Sequence, residues 1–276
     1  MIISLGMFFQ VFEPPELLKH LIHSIQVMEF NREENVKTQK IVPYGYCGLF
    51  FHYKETCYQD DNIVGRRILP YSFFAGLTDQ PIEIDFLGDT GTIAVNFYPT
   101  GLYHFLKSPI DELTNATVDS SNLWGYEIKH IQESLYEAEN IIQRIEIVNN
   151  YLLHRFQRLT PKINGTDHAQ QLLLQTFGQQ NIHELVKDLG VSMSTLERNF
   201  RKQIGLSPKH YARIIRFNRI FRIIRQHGFS DWHDILYECG YFDQAHFIKD
   251  FTQFTGETPR SYFSRQVRLG DLYSGK

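Results

Sequence analysis

Ser194, Glu197, Arg198 and Arg201 recur at three- and four-residue spacing. So do Gln244, Ala245, Ile248, Lys249 and Thr252, about fifty positions later. On a helix each set would share one face. Such a face suits recognition of flat, hydrogen-bonding edges and does no bond-making chemistry. Arg198 can place two N–H groups on the paired acceptors of a guanine, and Gln244 can both donate to and accept from an adenine. Lys249 brings a point charge. Ala245 and Ile248 offer apolar contact to a thymine methyl.

The rest of the chain holds little that could make or break bonds. A metal site needs clustered His and carboxylate ligands. His52 is alone in its strand-rich stretch, His104 lies just beyond it, and neither has paired-ligand spacing. Both read as ordinary histidines, and no metal or cofactor is expected. Cys47 and Cys57 would face each other only across a hairpin and read as plain thiols. No phosphate-binding glycine loop, nucleophile elbow or zinc spacing is present. Tyr44, Tyr46, Tyr71 and Phe73 could line an aromatic ligand pocket, or fill a core.

The elements that position the two faces come from a repeat. Leu196, Phe200, Gly205, Pro208 and Tyr211 correspond to Phe247, Phe251, Gly256, Pro259 and Tyr262, each 51 positions on. Upstream, Leu185 pairs with Ile235 and Gly190 with Gly240 at a shift of 50, so the second turn holds one extra residue. Each copy reads as helix, glycine turn, helix. Glycine takes the left-handed turn cheaply, and Ser192 or Ser194, and Asp243, stand where the next helix needs an N-cap. Leu196 and Phe200, and Phe247, Phe251 and Phe254, are the buried stripes. The first unit spans about 182–204 and the second about 231–254. Between them a basic helix over 208–227 turns Ile214, Phe217, Phe221 and Ile224 inward and carries Arg213, Arg216, Arg219, Arg222 and Arg225. These five step around the cylinder, so some must be solvated or paired. Twenty residues span about 30 Å, close to one turn of B-DNA at about 34 Å. The repeat would hold two reading heads apart.

Upstream the text differs. "YCGLFFHY", "RILPYSFFAGL", "IEIDFLG" and "TIAVNFYP" are short β-type runs bounded by turn formers, as in an antiparallel sheet, sandwich or barrel. "LYHFLKS" predicts a short helix. The stretch 126–157 predicts continuous helix, with an apolar stripe from Ile128 through Ile131, Leu135, Ala138, Ile142, Ile145 and Val148 to Leu152. That stripe must be covered by the β part or by a second copy, and a homodimer is expected. Pro161 and Gly165 break the helix, which divides the chain into a β-rich part over 1–162 and an all-α part over 163–276. From Gly165 on there are 15 lysines and arginines against 11 carboxylates, and before it 13 against 20. The positive end is the end suited to a polyanion. No apolar run is long enough to span a bilayer, the N-terminus lacks a basic leader, and three cysteines suit a reducing compartment. A cytoplasmic protein with no membrane association is expected.

Residues from about His168 to Phe263 resemble the AraC/XylS family of bacterial transcription regulators. The matching text is "ELVKDLGVSMSTLERNFRKQIGLSPKHYARIIRF" and "DILYECGYFDQAHFIKDFTQFTGETPRSY". The resemblance implies a double helix-turn-helix that binds double-stranded promoter DNA, with RNA polymerase as a further partner. It also implies an N-terminal β-barrel domain that senses a small-molecule effector or dimerises. "GTIAVNFYPTGLYHFLKSPIDELTN" resembles the sensor subgroup and implies a cupin-like barrel without cupin chemistry. Two positions depart from the pattern. Thr252 stands where lysine is frequent, and Lys249 replaces the commoner arginine, trading a forked donor for a point charge. The expected fold class is thus α+β in two domains, and the expected function is sequence-specific DNA-binding regulation without enzymatic activity. The alternatives are a cupin-like enzyme with a helical docking tail, and a DNA-binding protein governed by a protein partner.

Overall fold

In the computed structural model, residues 7–31, 38–60, 65–86, 88–227 and 232–263 are described. Ten strands precede eleven α-helices, with one short strand set among the first helices. The strands are β1 (Met7–Phe12), β2 (Ile22–Phe30), β3 (Thr38–Ile41), β4 (Cys47–His52), β5 (Cys57–Asp60), β6 (Arg67–Ile68), β7 (Ser72–Ala75), β8 (Ile82–Phe86), β9 (Thr90–Phe97) and β10 (Thr117–Asp119). They form a six-stranded sheet in the order β1-β2-β9-β4-β7-β10 and a four-stranded sheet in the order β3-β8-β5-β6. Every pairing is antiparallel.

The expected barrel is corrected to two open sheets. Closure needs pairing to continue around the circumference. The edge strands β10 and β6 have three and two residues, too short to carry a ladder from one sheet to the other. The six-stranded sheet is buried on both faces, which the period of two makes explicit. Ile93, Val95 and Phe97 of β9, with Leu49 and Phe51 of β4, join the main core. Thr92, Ala94 and Asn96, with Gly48, Phe50 and His52, turn toward the other sheet.

Helices α1 (Pro99–Leu106) and α2 (Ser120–Trp124) follow the long strands. The predicted continuous helix over 126–157 is in fact two, α3 (Glu127–Glu137) and α4 (Ile141–Gln157). Ala138 is extended, and Asn140 caps α4 by accepting from the Gln143 N–H. Arg144 closes the corner by donating to the carbonyls of Leu135 and Ala138. The apolar spacing ran through this corner because Ala138 happens to fall in phase. The stripe itself is covered within the chain. Ile128, Leu135, Ile145, Val148 and Leu152 are buried in the main core, and Ile142 is 57% exposed.

The remainder is all-α, with α5 (Gly165–Gln175), α6 (Ile182–Asp188), α7 (Met193–Ile204), α8 (Pro208–His227), α9 (Trp232–Glu238), α10 (Gln244–Thr255) and α11 (Pro259–Phe263). One apolar cluster continues from Phe97 and Phe105 through Leu152 and Ala169 to Phe200, Tyr211 and Phe251. The two parts therefore share a core.

Candidate functional site

The two helix-turn-helix units are α6–α7 and α9–α10, and their local chemistry repeats residue for residue. Gly190 and Gly240 end the first helices at φ 62° and 71°. Ser192 caps α7 by accepting from the Thr195 N–H, and Asp243, 51 positions on, caps α10 by accepting from the His246 N–H. Gly205 and Gly256 are left-handed C-caps. Ser207 and Thr258 accept from the backbone N–H groups of His210 and Ser261, so Pro208 and Pro259 each open the next helix at a position that needs no N–H. The extra residue of the second turn falls between Gly240 and Asp243. Phe242 lies there, 93% exposed.

Leu196, Phe200, Phe247, Phe251 and Phe254 are buried as the stripes required. The opposite faces are free of the core. Ser194, Glu197, Arg198 and Arg201 of α7 are exposed, and so are Gln244, Ala245, Ile248, Lys249 and Thr252 of α10. Phe242, just before the cap of α10, extends the apolar part of the second face. The sequence signalled it only as a one-residue insertion.

The connecting helix α8 has the expected 20 residues, but it is buried on two sides. Ile214, Phe217 and Phe221 face inward as expected, and Ile215, Ile220 and Ile223 are buried as well. Four of its arginines are engaged within the chain. Arg213 donates from Nε and Nη2 to Asp250 Oδ1 at 3.1 and 2.7 Å, tying α8 to α10. Arg216 donates to the Gly178 carbonyl, and Arg219 and Arg222 lie over the Phe177 ring at 4.4 and 5.2 Å. Arg225 is exposed.

The β part grips the helical part at matched places. At the end of α7, the Ile110 N–H donates to the Lys202 carbonyl at 2.8 Å, and Thr114 Oγ1 donates to the Gly205 carbonyl at 3.0 Å. At the end of α10, Lys40 Nζ donates to the Thr255 carbonyl at 3.2 Å and pairs with Glu257 at 2.9 Å. Both reading helices are thus held at equivalent C-terminal caps. Elsewhere, His104 Nε2 lies 2.9 Å from Asp167 Oδ1, both side chains buried. Burial works against the Asp167 carboxylate, but His104 and the Asn164 N–H hold its pKa below the ordinary value.

A third grip involves residues 42–46. The Pro43 carbonyl accepts from Asn218 Nδ2 at 3.0 Å, and the Gly45 carbonyl accepts from Tyr211 Oη at 3.2 Å. Gly45 has φ +89°, and a Cβ there would meet Ile215 Cδ1 at 2.5 Å. The alternate residues Val42, Tyr44 and Tyr46 line a cavity between the two sheets. This strap therefore has one side on α8 and the other on the cavity. Nothing in "VPYGYC" announces a helix some 170 residues away.

The cavity has a volume of about 120 Å³ and is lined mainly by apolar and aromatic side chains. Phe73 lines it with Tyr44 and Tyr46, whereas Tyr71 is 53% exposed and lies outside it. At one end, His52 Nδ1 is 2.8 Å from Thr92 Oγ1 and Nε2 is 3.7 Å from Cys57 Sγ. Burial lowers the His52 pKa to about 4 and raises that of Cys57 to about 12, so both are neutral at neutral pH. Cys47 lies on the other face of its sheet, in the main core. Cys47, Cys57 and Cys239 are free thiols.

Two capped helix-turn-helix units on one connecting helix, behind a β-rich part, define a two-domain α+β chain of the DNA-reading kind. Residues 10–119 match a family described as a domain of unknown function (DUF6597), and residues 185–265 one described as a helix-turn-helix domain. The chain belongs to the AraC family of helix-turn-helix proteins. It is 38% identical over 76 residues to the HTH-type transcriptional activator RhaR of Yersinia pseudotuberculosis (serotype O:1b, strain IP 31758), covering 27% of this chain and 25% of RhaR. It is 32% identical over 92 residues to the HTH-type transcriptional activator RhaS of Escherichia coli (strain SE11), covering 33% of this chain and 32% of RhaS. The match thus spans only a quarter to a third of these relatives' length. The relatives are regulators, and the chain falls with them and not with enzymes. ToxT from Vibrio cholerae has the same fold, with a TM-score of 0.51 at 11% identity over 93% of this chain and 98% of its own. ToxT from V. cholerae O395, bound to (E)-4-(8-methylnaphthalen-1-yl)but-3-enoic acid, gives 0.51 at 10% identity over the same shares. Among the described residues no helix is long and apolar enough to cross a membrane.

Proposed function

We propose that this chain is a sequence-specific transcription regulator that reads double-stranded promoter DNA with α7 and α10. The observation that carries the reading is the repeated geometry, in which two helices with the same caps and glycines present polar faces to solvent. In this reading Arg198 faces bases, with Ser194, Glu197 and Arg201 beside it. Gln244 and Lys249 do the same in the second head, with Thr252 on the same face and Ala245, Ile248 and Phe242 against thymine methyls. The N-terminal part responds to an effector, as the ligand-bound ToxT structure encourages. The strap 42–46 carries the response to α8. RNA polymerase is the downstream partner. The three free thiols suit a reducing compartment such as the bacterial cytoplasm.

The test is binding of the full chain to genomic DNA fragments across a salt series. Affinity falls steeply with salt, because each phosphate contact releases counterions. No binding at low salt overturns the reading. Arg198→Ala costs about 1–3 kcal/mol at the preferred site and relaxes choice at one base pair. An equal loss on every sequence assigns Arg198 to phosphate instead.

A further inference from the structure

We propose that the cavity between the two sheets binds a small uncharged molecule, about one six-membered ring in size, that carries a hydrogen-bond donor. This rests on the reading of that cavity as the effector site and names the chemistry the site accepts.

Size is the first constraint. The cavity measures about 120 Å³. A cavity of about 150 Å³ lined by apolar side chains holds benzene, so this one suits a single ring and excludes a long acyl chain or a disaccharide. Shape agrees, since Phe30, Phe50, Phe73 and Phe86 supply ring faces and edges. Incomplete filling is visible in the packing. The inter-sheet side chains form two small clusters, around Met28 and Phe30 and around Cys57 and Leu69, which share only Phe50 and Phe86.

Charge is the second constraint. None of the described lining residues is Lys, Arg, Asp or Glu. The one titratable base, His52, is neutral at physiological pH. A carboxylate placed here would lose its hydration and gain no cation, which is costly. Polarity is the third. Gln26 and Asn96 lie on the same sheet face as the lining residues Met28 and Thr92. Both are buried, and Gln26 Oε1 and Asn96 Oδ1 accept no hydrogen bond. A hydroxyl or N–H on the ligand would satisfy an acceptor left open at a cost.

The experiment uses the full chain and three probes, phenol, benzyl alcohol and benzoate, read by thermal shift and calorimetry. Phenol or benzyl alcohol raises Tm and binds at least about tenfold more tightly than benzoate, whose charge is unpaid for in this site. Benzoate binding as tightly, or no binding by either neutral probe, overturns the proposal. Ala75→Leu narrows the cavity and removes the shift. If that variant does not fold, fluorine resonances of 4-fluorophenol broadened by the wild-type chain, and not by chain saturated with benzyl alcohol, decide the same point. DNA affinity is measured with and without phenol. Binding of phenol with unchanged DNA affinity keeps the ligand class and ends the effector reading. DNA binding with no response to any neutral ring ends the ligand class alone.

Discussion

His52 is the clearest single titrating group in the β part. Burial holds its pKa at about 4, against about 6.5 in the unfolded chain. Between those values the unfolded state binds a proton that the folded state does not, so stability falls as pH drops from about 6.5 to about 4 and no further below. The shift corresponds to about 3 kcal/mol. His52→Gln flattens the dependence of Tm on pH in that window. It does not abolish it, because His20 and His210 are also lowered by burial. An unchanged pH profile in the variant contradicts this account. Arg213 and Asp250 make a second residue-scale case. Asp250 is buried, and Arg213→Met leaves its carboxylate without its cation, a loss of about 3 kcal/mol. Arg213→Met with Asp250→Leu recovers most of that, because the orphaned charge is gone. Denaturant midpoints of the three proteins check it.

At the scale of elements, the strap 42–46 is the shared wall of the cavity and the connecting helix. Gly45 is there for two reasons, its left-handed backbone and the close approach of Ile215. Gly45→Ala violates both and destabilises the fold by more than about 1 kcal/mol. If the strap links the two parts, this variant also changes DNA affinity, although Gly45 is on the other part of the chain from α7 and α10. A lower Tm with wild-type DNA affinity assigns Gly45 to packing alone. The reading helices depend on their caps in a simpler way. Ser192→Ala and Asp243→Ala each cost about 1 kcal/mol, measured as shifts in unfolding midpoint.

At the scale of the whole molecule, the stripe on α3 and α4 bears on assembly. The spacing from Ile128 to Leu152 argued for a second copy only if the β part left it bare, and it is covered inside one chain. What stays exposed on these helices is scattered, with Tyr126, Tyr136 and Ile142 as single residues, and such residues need no partner. Light scattering of the full chain is therefore expected to give a monomer at micromolar concentration. A dimer would move the interface to another surface, such as the outer edge of β1. Binding to DNA needs no second copy, because one chain already carries two heads.

The amino-acid sequence by itself determined what depends on short spacings. The glycine pair, the caps, the Pro and Tyr that follow them, and the 51-residue repeat are local rules of helix ends, so the helices after Gly165 were legible to within a few residues. The exposed faces followed, because a buried stripe defines its opposite. Tertiary structure decided everything that depends on long-range pairing. Open sheets against a closed barrel turn on which short strand finds which edge, and spacing carries no such information. The corner at Ala138 was hidden because an alanine in phase looks the same in a helix and in a bend. The second buried side of α8, the strap with its carbonyls on Asn218 and Tyr211, and the uncharged cavity exist only once residues 170 positions apart are packed together. Packing chooses partners by shape and by hydrogen bonds left unsatisfied, and neither is written in the order of residues along the chain.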